Sequence, residues 1–288
     1  NDVLNIVNAA DGDTIFDTNN DVFETINLVP FSATADPTIT LTGYSLALGT
    51  GVVTINAAGL GAGNVVTLVG NASATPINIT SGVANDSITL GTKADILDSG
   101  AGNDIIVATA GSNTIDGGAG NDIITLGTGA DNISGGAGND TFTGGANLAN
   151  TDVIDGGDGI DTLTTTGDIA SASVMGGISN IEVIDAAGTA DITATGAMGG
   201  ATTFLVNDAG AQILTLGGAG LVWTPATTVK VATGTETNNK KIANSANVDL
   251  TVKASAADID AAMTITGGTG TDVLELTADG GSADLDAT

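Results

Sequence analysis

Polar and apolar residues alternate in a strict register along the middle of the chain. Asp or Asn recurs every nine residues at positions 86, 95, 104, 113, 122, 131 and 140. Two residues later stands a bulky apolar side chain, in turn Ile88, Leu97, Ile106, Ile115, Ile124, Ile133 and Phe142. Each unit predicts a polar turn and a short strand with one inward side chain. Because so short a unit cannot fold alone, the repeat predicts a solenoid of stacked coils.

Alternate turns differ, so the true period is eighteen residues. The turns that end at positions 86, 104, 122 and 140 all carry Asn before Asp, whereas the intervening turns do not. Two units per coil therefore place one uniform row of Asp on one edge. The other edge departs from the pattern at Lys93 and Asn113. An insertion at 146–151 stretches one step to twelve, and the pattern resumes with Asp152 and Asp161.

The regions on either side of the repeat also favour strands. Short apolar runs in 28–80 and 186–266 are punctuated by Gly, Asn and Asp, which indicates strands and turns; 254–263 is the one candidate helical turn. We therefore predict an all-β fold, a parallel β-roll or β-solenoid flanked by Thr/Ala/Gly-rich β-regions of solenoid or sandwich type. The predicted segments are 1–80, 81–165 for the roll, and 166–288, with a third module start at 267–275.

Charge restricts the partners of this chain. It carries 33 acidic and five basic residues, a net charge of −28, 43 glycines and neither His nor Cys. Nucleic acids and anionic membrane surfaces both need a basic patch, so neither is expected as a partner. No apolar run reaches the roughly 20 residues of a membrane span. The expected partner is a cation.

The stacked carboxylates indicate which cation. At about 5 Å and an effective dielectric of about 20, two adjacent carboxylates repel by about 3 kcal/mol. Carboxylate and carbonyl oxygens without imidazole or thiolate favour a hard cation, and flexible multi-oxygen loops favour Ca²⁺ over Mg²⁺. We expect about three sites along the uniform row and fewer on the other edge. The alternative is that the Gly-Asp turns only close short strands.

Common catalytic arrangements are absent. Without His or Cys the chain has no HExxH motif and no Ser-His-Asp or Cys-His arrangement. No GxSxG elbow, dinucleotide fingerprint or P-loop lysine occurs either. A glycosidase-type carboxylate pair would lack aromatic platforms for sugars. We therefore expect a protein that is not an enzyme.

GGAGNDIIT (117–125) and GGAGNDTFT (135–143) resemble the G-G-x-G-x-D nonapeptide of RTX proteins, which form calcium-binding β-rolls. The resemblance covers 81–164 and implies several bound Ca²⁺ ions, type I secretion and folding outside the cell. In the family, loop carbonyls and the Asp ligate calcium. The expected metal-binding residues are Asp86, Asp95, Gly100, Gly102, Asp104, Gly118, Gly120, Asp122, Gly127, Gly129, Asp131, Gly136, Gly138, Asp140, Gly157, Gly159, Asp161, Gly268, Gly270 and Asp272.

A second resemblance concerns the modules. An Asp-x-Leu sequence begins at positions 2, 161 and 272, and Glu24 and Glu182 follow the first two copies. This module pattern resembles that of calcium-dependent surface-layer proteins and large adhesins of Gram-negative bacteria. By the same spacing, the Glu of the third copy would lie just past residue 288. We therefore expect this chain to be a piece of a longer tandem array. The resemblance implies a self-assembling cell-surface layer, sheet or fibre whose partners are copies of itself. It leaves open an adhesin stalk, a non-catalytic secretion region, and contact with outer-membrane polysaccharide through regions outside this chain.

Overall fold

The structure is a computed structural model, and every element in it is a β-strand. It describes residues 52–61, 76–166 and 177–186 continuously, together with the other strands given below. Within these residues there is no helix, and hence none that is long and apolar enough to cross a membrane. The candidate helical turn at 254–263 is wrong for its first two residues, which belong to a strand, and 256–263 lie outside the described residues.

The chain forms two compact units, Asn1–Thr143 with Thr151–Asp161, and Gly144–Asn150 with Thr162–Thr288. The division of the sequence at 80 and 165 stays a prediction. The first unit has two parallel sheets. One contains, in spatial order, β1 (Val3–Val7), β2 (Thr25–Val29), β4 (Val53–Asn56), β6 (Ile77–Thr80), β8 (Ile96–Asp98), β10 (Thr114–Asp116), β12 (Asn132–Ala137) and β14 (Val153–Asp158). The other contains β3 (Ile39–Thr42), β5 (Val66–Val69), β7 (Ser87–Thr89), β9 (Ile105–Val107), β11 (Ile123–Thr125) and β13 (Thr141–Thr143).

From β2 to β14, successive strands alternate between these two sheets, which makes the first unit a parallel β-solenoid. Ile123 pairs with Ile105, and Thr114 pairs with Ile96, so one coil in the roll takes eighteen residues. The insertion lengthens one coil without breaking the stack, because Asn132 pairs with Val153. The predicted period and the resumption after the insertion are both confirmed.

A single column of apolar side chains fills the space between the sheets. All seven predicted inward residues are buried, and Ile106, Ile124 and Phe142 are 0% exposed. The three-residue strands have one buried side chain between two more exposed ones. Each coil therefore contributes at least these two core residues, one from each sheet, and only stacking on neighbouring coils removes them from water. Burial of this column is the main apolar contribution to the stability of the roll.

The second unit is also built of parallel strands. One sheet contains β15 (Thr162–Thr165), β17 (Val183–Ala186), β19 (Thr203–Val206), β21 (Thr227–Val231), β23 (Leu250–Ser255) and β25 (Val273–Thr277). Another contains only β18 (Ile192–Ala194), β20 (Ile213–Leu216), β22 (Lys241–Asn244) and β24 (Thr264–Thr266) among the described strands. The two-residue strand β16 (Ile178–Ser179) also lies in this unit but is not part of that sheet. Because every described pairing is parallel, the flanking strands form solenoid and not sandwich structure. Thr162 pairs with Val183, so Glu182 directly precedes the strand one coil after the second module start.

Candidate metal centre

Glycine lets the turns of neighbouring coils approach closely. Gly118 and Gly120 have φ of 88° and 138°, in the region that L side chains rarely adopt. A Cβ on Gly118 would overlap the carbonyl oxygen of Gly100, and one on Gly120 would overlap that of Gly102. The G-G-x-G spacing is therefore needed to stack backbone carbonyls along the edge of the roll.

The Asp side chains link the coils through one of their two oxygens. Oδ1 of Asp122 accepts a 2.7 Å hydrogen bond from the backbone N–H of Asp104. Oδ1 of Asp140 accepts one of 2.8 Å from Asp122, and Oδ1 of Asp161 accepts one of 2.7 Å from Asp140. Each carboxylate thus contacts the turn of the preceding coil, and the row runs parallel to the solenoid axis.

The second carboxylate oxygen of four Asp residues in the roll is buried without a hydrogen-bond donor. Oδ2 is buried and accepts no hydrogen bond in Asp104, Asp122, Asp131 and Asp140. A buried carboxylate oxygen that lacks a donor is costly, and native structures satisfy nearly all such atoms. A set of these atoms repeated in the same position therefore fits the binding of a cation.

Burial also changes the acidity of the row. Removal from water, together with the charges of Asp104 and Asp140, raises the pKa of Asp122 to about 7 against the lowering effect of the hydrogen bond from Asp104. Burial likewise raises the pKa of Asp104 and Asp140. Without a cation, carboxylates of the folded row are therefore partly protonated at neutral pH.

The second edge of the roll has the same ladder with one neutral member. The N–H of Asp95 donates to Oδ1 of Asn113 at 3.1 Å, and that of Asn113 donates to Oδ1 of Asp131 at 2.9 Å. The ladder continues to Asp152, whose Oδ1 accepts from Asp131 at 3.0 Å. Asn113 thus keeps the backbone link of the row but brings no charge to it.

The structure brings most of the predicted site residues together in two rows. Asp86, Asp104, Asp122, Asp140 and Asp161 are buried on one edge, and Asp95, Asp131 and Asp152 on the other. A positive φ is present at the predicted site glycines Gly100, Gly102, Gly129, Gly136, Gly138, Gly157 and Gly159, as at Gly118 and Gly120, but not at Gly127. Gly268, Gly270 and Asp272 lie outside the described residues.

One polar ladder was missed by the sequence analysis, which noted its residues without a role. The exposed Asn103 accepts a 2.7 Å hydrogen bond from the N–H of Asn121 through Oδ1, and Asn121 accepts one from Asn139 in the same way. These bonds run in the opposite direction to those of the Asp row. The signal was the constant Asn before Asp, which sets this edge apart from the other.

The donor set fits a hard cation. Within the described part of the chain, no three acidic side chains gather at one point. Asp122 and Asp140 instead lie beside carbonyl oxygens of the turns: a Cβ on Gly117 would be 2.7 Å from Oδ2 of Asp122 and 2.6 Å from the carbonyl oxygen of Gly135, and Gly135 is placed in the same way beside Asp140. Oxygen ligands from one or two carboxylates and several carbonyls are what Ca²⁺ prefers.

Comparison with known proteins agrees with this geometry. The family model described as RTX calcium-binding nonapeptide repeat matches in four copies, at residues 80–115, 98–132, 116–147 and 148–167. None of the curated proteins compared with the chain matches it. The matched copies coincide with the coils that carry the buried Asp rows. Residues 80–167 are therefore a run of RTX calcium-binding nonapeptide repeats.

Proposed function

We propose that this chain is a calcium-rigidified structural segment of a secreted bacterial cell-surface protein, which packs side by side with copies of itself in a layer, sheet or fibre. The observation that carries the proposal is the row of buried carboxylates with partnerless Oδ2 atoms at Asp104, Asp122 and Asp140. Such a row is stable only with cations among its members, so metal supply decides whether the segment is rigid.

The ligands we assign to Ca²⁺ are five Asp carboxylates from the two rows and the carbonyl oxygens of their turns. On the uniform edge these are Asp104, Asp122, Asp140 and Asp161 with the glycines two and four residues before each. On the second edge they are Asp131 and the turn of Gly127 and Gly129. Bound Ca²⁺ supplies the positive charge that the row lacks. The side chains of the chain orient the carbonyls and keep water out.

The outer faces of the roll support a role in packing. Ile105 and Ile123 are neighbours on the outer face of one sheet and are 49% and 46% exposed. The remaining outward side chains of strands β7, β9, β11 and β13 are Ser, Thr and Val, so this face carries no charge. Asp98 and Asp116 pair on the other sheet and are exposed. In a chain of charge −28, an uncharged face is where two copies repel least.

Secretion follows from the calcium requirement. Proteins with RTX repeats are typically exported by type I systems, and a fold that needs millimolar-range extracellular calcium stays open in the cytosol. We accordingly place the protein outside the cell, at the cell surface, and assign it no catalytic role. An adhesin stalk and a secretion region are the competing functions.

Electron microscopy of the purified chain with calcium and with excess chelator tests the proposal. Ordered sheets or filaments that form with calcium and dissolve in chelator are expected. Single rods in calcium would favour the stalk instead. A protein whose particles look the same in both conditions would contradict calcium-dependent assembly.

A further inference from the structure

The first turn of the roll satisfies its carboxylate without metal. Oδ1 of Asp86 accepts a 2.7 Å hydrogen bond from the N–H of Val66, and Oδ2 accepts one from the hydroxyl of Ser81. Ser81 is buried, 2% exposed, and stands five residues before Asp86. Both oxygens of this buried carboxylate therefore already have a donor.

The next turn on the same edge keeps a serine at this position, Ser99, whose hydroxyl donates to the carbonyl of Gly117 at 2.7 Å. The two turns after it have no hydroxyl there. Gly117 and Gly135 take the position of Ser81, and a Cβ on either would contact the partnerless Oδ2 of the Asp five residues later. The change from Ser to Gly thus removes a donor from beside the carboxylate. In these turns the Oδ2 atom of the Asp is therefore available to bind a cation.

The second edge begins in the same way. Oδ1 of Asp95 accepts a 2.9 Å hydrogen bond from the N–H of Ile77, and Oδ2 accepts one of 3.0 Å from the N–H of Gly91. Here a backbone group, and not a side chain, supplies the second donor. In the first turn of each edge, both carboxylate oxygens of the Asp therefore accept hydrogen bonds from protein groups.

In the next turn of the second edge, Asn113 stands at the position of the Asp, so that a side-chain amide replaces the carboxylate. Its Nδ2 lies 3.0 Å from Oδ1 of Asp131, 3.4 Å from the carbonyl oxygen of Gly111 and 3.5 Å from that of Ala110. One carboxylate and two carbonyl oxygens thus surround a group whose hydrogens carry partial positive charge. This is the kind of oxygen set that elsewhere in the roll would surround an ion.

We propose that the Ser81 hydroxyl, the Gly91 N–H and the Asn113 amide take the place of calcium in their turns. Three of the four turns in the first two coils, 77–113, then need no metal, and the turn of Asp104 alone does. These coils persist in chelator and form the end on which later coils stack as calcium binds. The inference rests on calcium binding by the repeats and not on assembly. It assigns direction to folding: ordered structure grows from the Ser81 end towards Asp122 and Asp140.

Hydrogen exchange of the full chain in excess chelator tests the direction. The amides of Ser81 and Leu90, which donate to Asp98 and Val107, should stay protected. The amides of Gly117 and Thr141, which donate to Ser134 and Asp122, should exchange at least about 100-fold faster than in calcium. Equal loss of protection in both sets, or earlier loss at Ser81 and Leu90, would overturn the proposal.

Asn113→Asp tests the replacement itself. The variant removes the amide and restores a carboxylate to the row, so native mass spectrometry should count one more bound calcium ion than in the wild type. Thr114→Ser, an exposed change in the next residue, should leave the count unaltered. An unchanged count in Asn113→Asp would overturn the role of the amide.

A matched pair of serine variants tests the first turn. Ser81→Gly should make protection of the Ser81–Leu90 coil depend on calcium. Ser87→Gly makes the same change on the outer face of the same coil, away from the carboxylate, and should leave its calcium dependence as it was. No effect of Ser81→Gly would contradict the inference. A wild type that binds no calcium would instead contradict the proposed function, so the two failures are distinguishable.

Discussion

Oδ1 of Asp140 accepts a hydrogen bond from the backbone N–H of Asp122 at 2.8 Å, while Oδ2 of the same carboxylate is buried with no donor. The two oxygens of one side chain therefore have different tasks. One connects successive coils, and the other is available to a cation. This division explains why a repulsive row of carboxylates can also be a structural element.

Asp122→Asn should weaken calcium binding by about tenfold or more, because it removes one charged ligand worth roughly 1.5–3 kcal/mol. The amide oxygen can still accept the N–H of the preceding coil, as Asn113 does for Asp95. Isothermal titration with calcium measures the change. Asp98→Asn is the control, since Asp98 is exposed on the outer face. Equal losses in the two variants would mean that the assignment of the rows is wrong.

Chelation should remove most of the β-structure of the later coils. Without calcium, adjacent carboxylates repel by about 3 kcal/mol per pair, and several pairs approach the whole stability of an ordinary domain. Far-ultraviolet circular dichroism during titration with excess chelator records the loss, and added calcium should restore the signal. Added magnesium should restore less, because Mg²⁺ demands tighter octahedral sites. A spectrum that chelator leaves intact would argue against the metal requirement.

The metal-free protein should become less stable as the pH rises. The pKa of Asp122 is raised from its ordinary value of 3.8 to about 7, mainly by burial. The folded state therefore binds the proton more tightly than the unfolded state does. Its stabilising effect is complete below about pH 4 and is lost as the pH rises through about 7.

Thermal unfolding in chelator between about pH 4 and about pH 8 measures this dependence. Asp122→Asn, which does not titrate in the range, should have a shallower slope. With calcium the sign should reverse, because protons compete with the ion for Asp122 and affinity rises with pH. A Tm that rises with pH in chelator would contradict the expected direction.

Gly120→Ala should destabilise the calcium-bound roll by about 2–3 kcal/mol. Its φ of 138° is unfavourable for Ala, and the new Cβ would overlap the Gly102 carbonyl. Gly145→Ala is the control, since φ there is 54° and the nearest atom to a Cβ is Thr166 Oγ1 at 3.7 Å. It should cost about 1 kcal/mol. Denaturant unfolding in calcium compares the two, and equal losses would show that close stacking at Gly120 is not needed.

The sequence by itself determined the roll, because the two coupled columns encode it locally. Asp at every ninth position and an apolar residue two places later specify turn, strand and inward side chain, as Asp122 with Ile124 illustrates. The same spacing predicted that the Asp residues form two edges and that the repeat resumes after the insertion. The residue types in the turns predicted oxygen ligands, which favour calcium. These properties follow from residues that are close together in the chain.

Only the tertiary structure decided which carboxylate oxygen of each Asp links the coils and which is available to a cation. Whether Oδ2 meets a serine hydroxyl, a backbone N–H or nothing depends on which atoms of the turns come to lie beside it, as Ser81, Gly91 and Asp122 show. The Oδ1 links join residues eighteen apart, and their direction depends on the offset between stacked coils. Periodicity gives the partners in such a stack, but only the three-dimensional offset decides which atoms of those partners meet.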